Sequence, residues 1–305
     1  MTTATVVDKL RRIPGIRRRR IRIWGLTVGL IVLVLGLQAV FPDVRILPDL
    51  GQGMGPLAIL AVFLVALFCE YVDSSLGMGY GTTLTPLLLL AGFEPLQVVP
   101  CVLLSEFVTG LMAGLMHHRD GNVDLVRDRR ALGTVLLLST LSVVGAVAAV
   151  TLALSIPKFW LKLIIAVIIL SIGVVILSTI RRQLKYRRGH IIAVGAIAAF
   201  NKGLSGGGYG PLVTAGQVVS GLPAKHAVAI TSLAESLTCI VGLAAYALLH
   251  RHLDFMLAIP LTLGAILSVP VATLTVRRLP EGVMRTTVGV ATCVLGLLAF
   301  VKLVL

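Results

Sequence analysis

Five ionisable side chains stand inside long apolar stretches of this 305-residue chain: Glu70, Asp73, Glu106, Lys202 and Glu235. Such a group costs several kcal/mol when it enters hydrocarbon, so function is its default explanation. Two of them lie beside glycine runs. Asp73 precedes Gly77-Met78-Gly79-Tyr80-Gly81, and Lys202 precedes Ser205-Gly206-Gly207-Gly208-Tyr209-Gly210. Glycine permits positive φ and close backbone approach, so successive N–H groups can converge on an anion. The apolar segments that follow, from about Thr82 and Pro211, are placed to start helices whose positive N-terminal ends face the runs. Proline at a first helical turn suits that placement. The chemistry implied is anion binding by Gly77, Gly79, Tyr80, Gly81 and Thr82 from one run and Ser205, Gly206, Gly207, Gly208, Tyr209 and Gly210 from the other, with Lys202 as the cation. Tight helix packing through small residues is the competing use of the same glycines. Asp73, Glu106 and Glu235 are candidates for carrying a proton or sensing a coupling ion. Two structural roles stay open beside these: an Asp73–Lys202 pair, and hydrogen-bonded support of the neighbouring backbone by the glutamates.

The two runs are copies. Tyr80 aligns with Tyr209 at an offset of 129, and without a gap the same register pairs Asp73 with Lys202, Thr85 with Thr214, Gly92 with Gly221, Glu106 with Glu235 and Thr109 with Thr238. One residue of shift brings Asn122-Val123-Asp124 onto His252-Leu253-Asp254. Each glutamate shares a helix face with the threonine one turn on.

The elements that must position these residues follow from composition. Hydrophobic residues are 57% of the chain and charged residues 13%, with a mean hydropathy of +1.00. Soluble domains carry about 45–50% apolar and roughly 25% charged residues. Apolar runs of about twenty residues, the length that crosses a bilayer, recur at 23–41, 96–116, 131–154, 158–180, 224–249, 255–276 and 285–305. Segments 55–92 and 190–220 are apolar but interrupted by the glycine runs, as broken or re-entrant hairpins. The expected fold is an all-α polytopic membrane protein of two repeats, 55–180 and 190–305, each a broken hairpin plus three spans. A basic segment, 1–22, and one extra span, 23–41, precede them.

The net charge of +14 is topological rather than a nucleic-acid surface: eight of the 27 Lys and Arg lie in the first 22 residues, and most others sit in short loops. Lysine and arginine stay cytoplasmic, which places the N-terminus and the loops 117–130, 181–189 and 277–285 inside, in an inner membrane of bacterial type. With those sides fixed, the first broken segment begins and ends outside and the second inside, so the repeats are inverted. Inverted repeats with discontinuous helices recur in secondary transporters, which bind substrate near the midplane at the repeat interface. Trp24–Phe41 is long for a signal peptide and lacks a small-x-small cleavage site, so it is expected to stay.

Several activities find no support. Cys69, Cys101, Cys239 and Cys293 lie in apolar segments without metal-ligand spacing, and His117, His118, His190, His226, His250 and His252 sit at expected membrane edges. There is no phosphate-binding GxxxxGK[ST] run, no intramembrane HExxH and no nucleophile–base pair, so neither an enzyme nor a cofactor is expected. A potassium filter needs four copies of its GYG motif with Thr-Val before it, whereas here Met78 and Gly207 stand in the valine place. The partners implied are a small anion and the lipid bilayer, with a homo-oligomer open. An ion channel and a non-transporting assembly protein are the alternatives.

On the two glycine runs with their half-helices, the chain resembles the sulfite exporter TauE/SafE family over roughly residues 55–305. The resemblance rests on Gly77-Met78-Gly79-Tyr80-Gly81 with Pro86, and on Gly203-Leu204-Ser205 through Gly210-Pro211 with Ala227 and Thr231-Ser232. The first copy departs at Met78, Glu94-Pro95 and Pro100. The resemblance implies outward transport of sulfite, organosulfonates or related small anions.

Overall fold

Two interruptions in apolar sequence organise the helices. A computed structural model of the chain describes residues 55–179, 188–219, 222, 224–249 and 254–275, with isolated positions in 24–33 and 286–301. The expected spans 23–41 and 285–305, the basic N-terminus and most of the 181–189 and 277–285 loops lie outside the described residues. Met1–Ala61 forms one unit, in which Trp24, Gly25 and Leu26 are helical, and Val62–Leu305 forms a second that holds both interruptions.

The first interrupted segment is helix α1, Pro56–Leu76, then α2, Tyr80–Leu90, with Gly77-Met78-Gly79 between them. Helix α3, Pro95–Arg119, starts with proline at its first turn, where a missing N–H costs nothing. Helices α4, Arg129–Ser155, and α5, Lys158–Thr179, complete the first half. The second half opens with α6, Arg188–Ser205, and α7, Tyr209–Val219, then α8, Ala224–Leu249, and α9, Ala258–Thr275. At about 1.5 Å per residue, α2 and α7, with 11 residues each, reach roughly 16 Å, about half a hydrocarbon core. Among the described residues four helices, Pro56–Leu76, Pro95–Arg119, Ala131–Ser155 and Lys225–Leu249, are long and apolar enough to cross a membrane. The chain is an all-α polytopic membrane protein.

Helix bounds recur at the offset of 129. Leu76 and Ser205 end the helices before the breaks, Tyr80 and Tyr209 begin those after them, Pro95 and Ala224 open α3 and α8, and Arg129 and Ala258 open α4 and α9. The backbone repeats too: φ is +68° at Gly77 and +71° at Gly206, and +132° at Gly79 and +76° at Gly208, a region side chains resist. Both half-helices thus start two residues earlier than Thr82 and Pro211, because the tyrosines already take helical geometry behind the last left-handed glycine.

Packing is reciprocal. Helix α4 lies against α6 and α8, while α9 lies against α3 and meets α1 through the Ser268 hydroxyl, which donates to the Leu67 carbonyl at 2.7 Å. At the centre α3 crosses α8 on small residues. A Cβ on Gly110 would stand 2.8 Å from the Ser232 carbonyl, and one on Gly114 3.1 Å from Leu233 Cβ. Spacing by four puts both glycines on one helix face, so the backbones approach closely; Ser236 Oγ adds a hydrogen bond to the Phe107 carbonyl at 2.8 Å. Gly145 and Gly264, in uninterrupted helices, also pack tightly: a Cβ at Gly145 would be 3.1 Å from Phe200 N, and one at Gly264 would meet the Phe63 carbonyl. The loops keep the repeat as well. Asp124 Oδ1 accepts from the Val126 and Arg127 N–H groups, and Asp254 Oδ1 from the Met256 N–H.

Candidate functional site

A helix that stops inside a membrane exposes carbonyls at its end and N–H groups at the next start, and hydrocarbon satisfies neither. The two halves solve this with matching side chains. His117 Nε2 donates to the Ser74 carbonyl at 3.0 Å, and the Tyr246 hydroxyl donates to the Gly203 carbonyl at 3.2 Å. Donor and acceptor are each related by the repeat offset. The Asn122 amide donates to His117 Nδ1 at 2.8 Å, which fixes the proton on Nε2. His117 is fully buried, not at a solvated edge as its polar neighbours His118, Arg119 and Asp120 imply. The orphan carbonyl at the break draws it in.

The N–H groups beyond the breaks are met by carboxylates and hydroxyls. Asp73 Oδ1 accepts from Tyr80 N at 3.3 Å, and Glu106 Oε1 accepts from Gly81 N at 3.2 Å. In the second break, Ser205 Oγ accepts from Gly207 N at 3.2 Å, and the Asn201 amide donates to the Gly207 carbonyl at 3.0 Å. The halves also serve each other. Thr82 Oγ1 accepts from Gly208 N at 3.0 Å, and the Thr214 hydroxyl reaches the Gly77 carbonyl at 2.7 Å. Thr85, the repeat mate of Thr214, is buried with its hydroxyl unpartnered. Asn201 was missed in the sequence, although an asparagine beside Lys202 in an apolar run is a readable signal.

The glycine runs touch. A Cβ on Gly207 would lie 2.5 Å from Gly81 C and 2.7 Å from Thr82 N, one on Gly81 would meet the Gly206 carbonyl, and one on Gly210 the Gly77 carbonyl. Backbone therefore fills the space between the runs in this conformation, which is the tight-packing use of these glycines.

Lys202, fully buried, points its ammonium at Glu106 Oε2 and at Glu235 Oε1, the latter at 2.7 Å. Of the roles left open for Lys202, the structure shows a lysine held between the two repeat-related glutamates rather than paired with Asp73. Asp73 turns instead to the start of α2, where a carboxylate meets the positive helix end. Glu70 is also buried, and it accepts from Ser74 Oγ at 2.6 Å and Thr109 Oγ1 at 3.1 Å. Its repeat mate is Ala199, so the cluster is asymmetric. Tyr80 OH lies 2.8 Å from Ser105 Oγ, and Tyr209 packs among Ala198, Ala199, Ala229 and Ile230. Every residue singled out for anion or coupling chemistry lies in the two breaks, on the helices α1, α2, α6 and α7 that flank them, or on α3 and α8 beside them. Among the described residues no group of three His, Cys, Asp or Glu could hold a metal.

No solved structure matches the chain. A relative, described as "Probable membrane transporter protein YtnM" of Bacillus subtilis (strain 168), is 28% identical over 237 residues, covering 74% of this chain and 77% of that protein. The family profile described as "Sulfite exporter TauE/SafE" matches residues 62–299, from within α1 onward and including both breaks. The chain belongs to the TauE/SafE family of membrane transporters and, like its relatives, is not an enzyme.

Proposed function

We propose that this transporter is a secondary carrier exporting a small anion such as sulfite or an organosulfonate across an inner membrane, with its N-terminus cytoplasmic. The observation that carries the reading is Lys202: a buried ammonium that shares the Glu106 carboxylate with the Gly81 N–H at the start of α2. A buried cation and a helix N-terminus together form the electrostatic environment an anion needs in place of water. The residues proposed to bind are Lys202, Thr82 and Ser205 with the backbone of Gly77, Gly79, Tyr80, Gly81, Gly206, Gly207, Gly208, Tyr209 and Gly210. Asp73, Glu106 and Glu235 are proposed to couple binding to proton movement.

Repeats of opposite orientation would let one half rock against the other, opening the site to each side in turn. Direct contact between the two runs favours a carrier over a channel, which needs a continuous aqueous path. Flux into proteoliposomes tests the reading, with sulfite, sulfoacetate, thiosulfate and sulfate compared. The expected result is uptake of at least one, abolished by Lys202→Ala. Uptake no faster than in empty liposomes for all four refutes it.

A further inference from the structure

The proposed site is already occupied by part of the protein. Glu106 uses both of its oxygens in different directions: Oε1 accepts the Gly81 N–H at 3.2 Å, and Oε2 pairs with the Lys202 ammonium. These are the two kinds of donor an arriving oxyanion would take, a helix-terminal N–H and a buried cation. The contact is not required to hold the lysine, because Glu235 Oε1 already lies 2.7 Å from the same Nζ. Nor is it a copy of something both halves need. Glu235, the repeat mate of Glu106, turns its Oε1 to Lys202, and at the second break Ser205, Asn201 and Thr82 meet the Gly207 and Gly208 backbone just before α7.

We propose that Glu106 is a tethered competitor: its carboxylate fills the anion position between Gly81 and Lys202 in the empty carrier, and the substrate binds by displacing it. This rests on the anion-carrier reading above. Two functions follow from one side chain. With the carboxylate seated, Lys202 and the start of α2 stay satisfied while the carrier reorients empty, so no buried charge is exposed without a partner. When the site opens to the far side, the returning carboxylate competes for the same donors and expels the anion. Glu106 is in this sense a positioning and release residue rather than a ligand of the substrate.

The expected size follows from occupancy. If the carboxylate fills the site about nine-tenths of the time, only about a tenth of the protein is binding-competent, and removing the competitor tightens apparent binding about tenfold. The test is equilibrium binding of sulfite, sulfoacetate, thiosulfate and sulfate to the purified full chain in nanodiscs, wild type against Glu106→Gln. The proposal expects about tenfold tighter binding with slower exchange in proteoliposomes, so that KM and turnover fall together. A merely structural glutamate predicts weaker binding. Glu106→Asp, which keeps the charge but withdraws it from Gly81, guards against a glutamine variant that fails to fold; it should also bind more tightly than wild type. Wild-type affinity equal to or higher than that of both variants overturns the proposal alone. If none of the four anions binds any of the proteins, the anion-carrier reading falls and takes the proposal with it.

Discussion

Substituting Gly207 by alanine tests whether the two breaks must touch. The added Cβ would sit 2.5 Å from Gly81 C, 2.6 Å from Gly81 O and 2.7 Å from Thr82 N. All three atoms are backbone, so no side chain can swing aside, and relief requires α2 to move away from the second run. That displacement also lengthens the bond from Gly208 N to Thr82 Oγ1, now 3.0 Å. Overpacking costs about 1–3 kcal/mol where side chains can yield; with backbone on the receiving side the upper end applies, about 3 kcal/mol. At about 2–4 °C per kcal/mol for a large domain, the apparent Tm in detergent should fall by roughly 6–12 °C. The control is Gly133→Ala in α4, where a Cβ meets nothing within 4 Å. There alanine should be neutral or stabilising by up to about 1 kcal/mol. Gly145 and Gly264 serve poorly as controls, since each abuts a neighbouring helix. The assay is thermal unfolding by fluorescence-detected size exclusion, paired with anion flux. Unchanged Tm and flux in Gly207→Ala would refute the contact between the breaks.

Lys202→Ala strands two buried carboxylates, at a cost of about 3–5 kcal/mol. Monodisperse yield should recover on adding Glu106→Gln and Glu235→Gln but not Asp73→Ala, and recovery through Asp73 would contradict the observed pairing. His117→Phe leaves the Ser74 carbonyl and the Asn122 amide without their histidine partner, a loss of about 1–3 kcal/mol. His117→Tyr should lose less, since Tyr246 does the same work in the second half, and equal stability of the Phe variant would sink this account. In the exposed loop after α3, the Arg127 N–H, aided by that of Val126, holds the Asp124 carboxyl below its usual range. The cap therefore contributes fully above the ordinary carboxylate value of about 3.9 and is lost as pH falls through the lower folded value. Carbon NMR titration of Asp124 should give a midpoint under about 3.9; a midpoint above it contradicts the cap.

Much of the architecture was legible because membrane insertion leaves few options. Apolar length gave the described helices near 96–116, 131–154 and 224–249, and the Tyr80–Tyr209 register anticipated helix bounds in both halves. What one dimension hid was partnership. The offset makes Asp73 and Lys202 equivalents, but residues related by an internal axis touch only when they lie on it. Glu106 and Glu235 come from α3 and α8, the pair that crosses at the centre, and so both can reach one lysine. His117 was obscured for a similar reason: polar neighbours describe the end of a helix, whereas its burial is decided by a carbonyl 43 positions away in sequence.

The mutual capping of the breaks also bears on how the chain is made. Thr214 of the second half donates to the Gly77 carbonyl of the first break, while Thr82 of the first half accepts from Gly208 N in the second, so neither break is completed by its own half alone. At synthesis rates of about 5–20 residues per second, the 129 residues separating Tyr80 from Tyr209 take roughly 6–26 s to emerge. Throughout that interval the Gly77 carbonyl has no Thr214 hydroxyl to meet it, in a solvent that offers none. The half-made chain must therefore wait beside the insertion machinery or in a wet cleft, and insertion of this protein is completed late and as a whole.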